Sequence, residues 1–230
     1  MPNISKSKAD LGEKISYKGV TYYINDYLSL LTLSPFYERR VFMCLFKEIT
    51  KLLRVKDEVV MVDLGAHIGK YTLYFAKLFK SLKVIAVEPD PTNFITLRKA
   101  VKANNLENVT IENCACADID GKTQLYISFK SGVHSLIKRP ETVATVTVKC
   151  KSLDNLVSEQ KLKSVDIIKI DVEGAEYKVL KGGINTITKY KPVIFVEIWT
   201  NNYKSIAEFL RKLEYDVTLI EGDNYVARPK

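Results

Sequence analysis

The chain has 230 residues, 47% hydrophobic and 27% charged, a balance that excludes a disordered polypeptide and suits one folded domain with a short appendage. Its formal net charge of +8 comes mostly from scattered lysines, which read as a solvated surface, with an anionic partner such as RNA as the alternative. No stretch approaches the roughly twenty apolar residues a membrane span requires. Met1 to Lys8 lacks a signal-peptide core, and Cys44, Cys114, Cys116 and Cys150 form no C-x-x-C pair, so the expectation is a cytoplasmic protein without structural zinc.

In chain order, Ile15–Ile24 reads as a small hairpin around Gly19. Ser34-Pro35 then opens a helix that runs to about Leu53, with serine as its N-cap and proline in its first turn. Its aromatic residues, with Arg39 and Arg40, either pack on the sheet, the usual role of aromatics at helical spacing, or edge a substrate opening. Residues 1–57 are thus expected to be a hairpin-and-helix extension that caps the substrate, ahead of a domain spanning 58–230.

The stretch Val59–Gly69 carries the first chemistry. Branched apolar residues make a strand buried on both faces, Asp63 stands near its end, and Gly65 and Gly69 bracket a turn into the helical pattern from Tyr71. Such a strand–turn–helix unit brings backbone amides to a ligand at the carboxyl edge of a parallel sheet. A dinucleotide fingerprint would read G-x-G-x-x-G, and Asp63 would repel a pyrophosphate; D-x-G-x-x-x-G instead suits a ligand with a cationic end, such as the aminoacyl part of S-adenosylmethionine. The next strand, Lys83–Val87, ends in Glu88-Pro89, and an acid at that tip accepts hydrogen bonds from both hydroxyls of a ribose.

Asp90-Pro91 caps a helix to Asn104, and Val109–Cys114 makes a third strand, on which Cys114 and Cys116 share a buried face. Asp118 either meets the amino group of an adenine or caps a turn. Thr123–Ile127 and Thr142–Cys150 are antiparallel partners joined by a loop from Phe129 to Pro140, in which His134 is a base, a substrate hydrogen-bonding group or an incidental surface residue. Val165–Asp171 is another buried strand ending in an acid. Val172 to Glu176 leads into a helix that Gly182-Gly183 terminates. A further helix, a strand over Pro192–Trp199 containing Glu197, a helix over Ser205–Leu213, and a hairpin of Tyr215–Ile220 with Tyr225–Ala227 complete the chain. That hairpin closes a parallel sheet with an antiparallel strand, an ending found in methyltransferases rather than dehydrogenases.

Together V-D-L-G-A-H-I-G-K-Y, V-E-P-D-P, K-I-D-V-E-G-A-E-Y-K-V-L-K-G-G and F-V-E-I resemble the FkbM family of S-adenosylmethionine-dependent methyltransferases, over about Val59 to Trp199. The resemblance implies an α/β class I (Rossmann-like) fold: a seven-stranded, mostly parallel sheet with an antiparallel terminal strand and helices on both faces. It also implies S-adenosyl-L-methionine as cofactor and O-methylation of sugar or natural-product hydroxyls. By position, Asp63, Gly65, Ala66, His67 and Gly69 would line the methionine end, Glu88 and Pro89 the ribose, Ala117-Asp118 the adenine, and Asp171 with Glu173 the catalytic edge. His67 stands where the family usually has asparagine.

Methyl transfer from a sulfonium to an alcohol is an in-line displacement that benefits from positioning and from a base. Asp171, Glu173 and Glu197 offer that base, with Glu173 the first choice; as alternatives they hold a divalent cation, or Glu173 and Glu176 cap the following helix. No metal ligand is assigned, since no histidine joins the acids. The expected acceptor is a small molecule, saccharide or lipid. RNA methylation rests on the basic balance alone, and no N-P-P-Y-type tetrapeptide follows Ile170; a non-catalytic nucleoside-binding protein is the third reading.

Overall fold

The computed structural model describes residues 13–24, 30, 32–34, 37–128, 134–199 and 202–230. Strands β1 (Glu13–Tyr17) and β2 (Val20–Ile24) form the expected hairpin. Lys18 and Gly19 at its tip have φ of 49° and 76°, the positive-φ two-residue turn whose twist matches the paired strands. Val20, Tyr22 and Ile24 point into the core. Asn104 holds the hairpin down: its side-chain oxygen accepts from Thr21 N at 2.9 Å and its amide donates to Thr21 O.

Helix α1 spans Arg39–Leu52, so it begins later than the Ser-Pro signal predicts; Pro35 and Phe36 lie outside the described residues. Glu38 precedes it with φ of 50°, and its side chain does not cap the helix. The cap is tertiary: Glu221, near the far end of the chain, accepts from the amides of Arg40 at 2.7 Å and Val41 at 3.0 Å. A carboxylate from elsewhere has taken the role the local serine was expected to play. Phe42 of α1 stacks on Phe75 with ring centroids 4.8 Å apart, so this aromatic packs against the helix over Lys70–Leu78.

The chain then alternates through β3 (Val59–Leu64), α2 (Lys70–Leu78), β4 (Leu82–Val87), α3 (Pro91–Ala103) and β5 (Val109–Glu112). Three strands follow, β6 (Ala115–Cys116), β7 (Gly121–Ser128) and β8 (Thr142–Lys151), and then α4 (Leu153–Glu159), β9 (Ile167–Ile170), α5 (Glu176–Gly182), α6 (Ile184–Tyr190) and β10 (Val193–Glu197). Helix α7 (Tyr203–Lys212), β11 (Tyr215–Glu221) and β12 (Asn224–Pro229) finish it. The third strand is shorter than predicted: β5 stops at Glu112, and Cys114 lies off the strand. The reason is Asn113, whose amide donates to the carbonyls of Glu88 and Pro89 at 2.8 and 3.2 Å and ties the chain to the end of β4 before it leaves the sheet. Both Cys114 and Cys116 are nonetheless buried in one apolar cluster.

Seven strands form one sheet in the order β11-β12-β10-β9-β3-β4-β5, with β12 antiparallel to its neighbours and the others parallel. Period-two alternation divides its all-apolar strands between two cores. Val59 and Met61 of β3 face α1, α2, α3 and the hairpin, while Val60, Val62 and Leu64 face the side of α4 to α7. By the same alternation Asp63, Lys169, Asp171 and Glu197 share the first face, at the carboxyl end of neighbouring strands. The smaller sheet, β6-β8-β7, has its own apolar cluster around Leu125 and Val148. No helix among the described residues is long and apolar enough to cross a membrane.

Replacing Glu221 by alanine strands the first amides of α1. Urea unfolding at neutral pH is expected to show a loss of about 1 kcal/mol; an unchanged midpoint would mean that solvent caps the helix as well.

Candidate active site

A cavity of about 530 Å³ opens where the sheet order reverses, between β3 and β9. That switch point is where open α/β sheets bind ligands, because connections leave it in opposite directions and no crossover covers the strand ends.

The floor of the cavity is built from charge. Asp63 and Lys169 are register partners on β3 and β9, and Lys169, only 4% exposed, places its ammonium 2.8 Å from Asp171 Oδ2. The same ammonium lies 4.7 Å from the centre of the Tyr71 ring. Burial works against the lysine's charge, but Asp171, Asp63 and Glu38 outweigh it and hold its pKa above the ordinary lysine value. In return, Lys169 overcomes the burial of Asp171 and holds that carboxyl below its usual range. Glu197, hydrogen-bonded to Asp171, is pushed well up by burial and by repulsion from Asp171, so this pair carries one proton and Glu197 keeps it.

Asp63 is 1% exposed. Its Oδ2 accepts from the Thr72 hydroxyl at 2.6 Å, while Oδ1 has no hydrogen-bond partner among the described residues. Burial raises its pKa, opposed by Lys169 and the Thr72 hydrogen bond. Gly65 turns the chain with φ of 83° so closely over β9 that a Cβ there would sit 1.8 Å from Asp171 O, which is why this position takes glycine. Glu88 also faces the cavity, its two oxygens accepting from His67 N at 2.8 Å and Asp90 N at 3.0 Å. Burial pushes its carboxyl up to about 7 against those two hydrogen bonds.

At the mouth, Glu38 accepts from the Tyr71 hydroxyl at 2.7 Å and pairs with Lys70 at 3.1 Å. Carboxylate oxygens of Glu38, Asp171 and Glu197 lie within 4.8 Å of one another, so Glu38 rather than Glu173 completes the acidic trio expected from the strand tips. Glu173 takes φ of 55° in the turn before α5 and lines the cavity, with its carboxylate 3.7 Å from Arg139. Burial, then the nearby Asp171, pushes it up to about 8. Glu176, not Glu173, serves the helix start, accepting from Gly174 N at 2.6 Å. The Arg139 guanidinium also bonds the Glu173 carbonyl and lies 3.7 Å from the Trp199 ring centre, fixing that indole in the wall. His134 lines the same cavity; its Nδ1 accepts from Ser128 N at 3.2 Å, which leaves the hydrogen of the neutral ring on Nε2.

Asp63, Gly65, Ala66, His67, Glu88, Pro89, His134, Asp171 and Glu173 all border the cavity. Three other expected residues do not. Gly69, with φ of 91°, packs against Leu73 and Leu97 behind the bend. Ala117 packs its carbonyl where Gly182 leaves room, and Asp118 pairs with Lys181 at 3.1 Å on the surface. The chain turns inward earlier than expected, so Cys114, Ala115 and Cys116 line that end instead. The early exit of β5 at Asn113 causes this shift. Lys169, Glu38, Lys70, Arg139 and Trp199 were not singled out as site residues from the sequence. Of these, Lys169 alone left a local signal, a lysine inside a strand otherwise fully apolar.

Numbered along the chain, the strands of the large sheet lie in the order 3-2-1-4-5-7-6, the class I Rossmann-like methyltransferase arrangement. Methyltransferase FkbM from Methylobacillus flagellatus shares this fold, with a TM-score of 0.56 and 21% identity over 77% of this chain and 45% of that one. The profile of the Methyltransferase FkbM domain matches residues 63–217, and the chain belongs to that family. It is 30% identical over 146 residues to a methyltransferase of Beauveria bassiana, covering 55% of this chain and 59% of that protein. It is 25% identical to the 2-O-methyltransferase NoeI of Sinorhizobium fredii, covering 75% of this chain and 83% of that protein.

The raised pKa of Glu173 has a measurable sign. Between 4.5, its ordinary value, and about 8, the folded protein keeps a proton that the unfolded chain has released, so this group's contribution to stability falls as pH rises through that window. Urea unfolding at pH 5, 6.5 and 8 should therefore show Glu173→Gln gaining stability relative to the parent as pH rises; parallel pH profiles would show the carboxyl to be unperturbed.

Proposed function

We propose that this protein transfers the methyl group of S-adenosylmethionine to a hydroxyl oxygen, with a saccharide as the acceptor class. The observation that carries the reading is the unpartnered Oδ1 of buried Asp63, beside the glycine bend and in the same cavity as Glu88. A buried carboxylate oxygen without a donor is costly, and the ammonium of an aminoacyl group supplies one. Glu88 accepts from His67 N, Asp90 N and the Asn93 side chain, and keeps a lone pair for a hydroxyl of a ribose. The donor set therefore fits the cofactor: Asp63 for the amino end and Glu88 for the sugar, with Cys114, Ala115 and Cys116 as an apolar seat for the base. When bound, the cofactor supplies an electrophilic methyl group on a positively charged sulfur.

The remaining residues act on the acceptor. Glu173, with its carboxyl near 8, retains an ionised fraction at neutral pH yet holds a proton well, the compromise a general base needs. It would take the hydroxyl proton while the methyl carbon passes from sulfur to oxygen, the S–C bond breaking as the C–O bond forms and its electron pair staying on sulfur. Asp171, kept ionised by Lys169, and Glu197, whose single proton is donated to Asp171, present acceptor oxygens to neighbouring hydroxyls. His134, with Nδ1 engaged by Ser128 N, is a hydrogen-bonding group in the wall rather than a base. Trp199, backed by Arg139, offers a rigid aromatic face to the C–H groups of a sugar ring. The carboxylates around this opening disfavour a phosphate backbone, which favours a saccharide over RNA. The Sinorhizobium relative's name supports oxygen as the accepting atom.

Calorimetry with S-adenosylmethionine and a methyl-release assay on fractionated saccharides test the reading together. Saturable binding and label in a saccharide hydroxyl are expected; no binding by folded protein, or label in RNA, would overturn it. Glu88→Ala should weaken cofactor binding by about 2 kcal/mol, roughly thirtyfold, because a hydrogen bond to a carboxylate is lost. Glu173→Gln should lower the rate at least a hundredfold while leaving cofactor affinity within a few-fold; a surviving rate would assign the base elsewhere.

A further inference from the structure

A second cavity, of about 300 Å³, opens beside the first on the side of the N-terminal hairpin. Tyr37 and Lys70 line both, so the two spaces meet at a shared wall. Apart from Lys70 and Tyr74 of α2, the residues around it come from the hairpin, α1 and the segment between them, ahead of the family match at residue 63. The walls are apolar: Tyr22 and Leu33 on the buried side, Phe42 and Met43 from α1. Met43 and Tyr37 are 45% and 48% exposed, so large apolar side chains face solvent around this opening.

The charge in this cavity has one sign. Lys18, Arg39 and Lys70 line it, and no carboxylate does so among the described residues. Lys70 is neutralised by Glu38. Lys18 instead rests over aromatic rings, 5.4 Å from that of Tyr17 and 5.9 Å from those of Phe42 and Tyr74. Neither Lys18 nor Arg39 takes part in any ion pair of the described residues. The first cavity contrasts with this, being crowded with carboxylates.

We propose that the second cavity holds the tail of the methyl acceptor, an apolar chain carrying an anionic group such as a phosphate or carboxylate. The tail's identity as part of the acceptor rests on the transfer reading above. The apolar walls give the chain a place out of water, and Lys18 and Arg39, in no ion pair among the described residues, give the anion a direction. The head of the same molecule then reaches Glu173 past Tyr37 and Lys70. A fully polar free sugar would leave these walls unused, so the acceptor class narrows to an amphipathic glycoconjugate.

Octyl phosphate, octyl glucoside and octyltrimethylammonium, each below its micelle concentration, are titrated into the folded protein by calorimetry, with S-adenosylmethionine titrated into the same samples. Octyl phosphate should bind saturably and at least tenfold more tightly than the other two. Met43→Glu, which puts a like charge in the groove, should weaken octyl phosphate at least tenfold and leave S-adenosylmethionine affinity within twofold. Lys18→Glu combined with Arg39→Glu should do the same, with circular dichroism confirming that both variants are folded. Equal binding of the three amphiphiles, no binding of octyl phosphate, or binding that folded variants leave unchanged would overturn the proposal. Octyl phosphate bound without S-adenosylmethionine would keep the apolar-anion site and remove the transfer reading; the reverse result would remove only the site.

Discussion

Lys169 stands in the middle of a sheet on a strand whose other residues are apolar, and its ammonium is the positive charge around which the site is arranged. A buried lysine alone would release its proton, and three acids in one pocket alone would take protons up. Placed together, the acids keep Lys169 charged and Lys169 keeps Asp171 ionised: Asp63 lies across from Lys169 on β3, Asp171 lies two residues on, and Glu38 reaches in from the start of α1. The ring of Tyr71 covers the ammonium, and the Tyr71 hydroxyl in turn holds Glu38. Breaking such a set by removing one member leaves an uncompensated buried charge, so its parts stand or fall together.

From that arrangement follows a graded series of carboxyl groups within one cavity. Asp171 is held ionised and Glu197 protonated, while Glu173 lies near neutrality and Glu88 close to it. Burial alone would raise all four; proximity to Lys169 separates the first from the rest. Different environments have made one residue type into an ionised group, a protonated group and a group near neutrality, a pattern characteristic of acid–base sites.

The mouth of the cavity depends on the far end of the chain. Glu221 of β11 caps α1, so the terminal hairpin fixes where α1 begins and thereby where Tyr37 and Glu38 stand. Asp223, in the turn of that hairpin, lines the cavity itself, and its carbonyl accepts from Ile198 N at 2.7 Å. The β1–β2 hairpin at the other end shares the apolar core of β3 and forms the wall of the second cavity. The two hairpins thus shape the walls of the two cavities.

The amino-acid sequence by itself determined the alternation of strands and helices, the acids at strand tips, the terminal hairpin and the glycine bend, because these rest on local periodicity and on backbone conformations few residues adopt. It also singled out Asp63, Glu88, Asp171 and Glu173, since a carboxylate ending an apolar run has few local explanations. Only the tertiary structure decided that Glu38 and Lys70 join the acids, that Arg139 braces Trp199 and that Cys114 to Cys116 displace Asp118 from the cavity. It also decided that α1 takes its cap from Glu221. Each of these is a meeting of residues distant in the chain, and side-chain charge and hydrogen bonding at such distances leave no periodic trace in a single sequence.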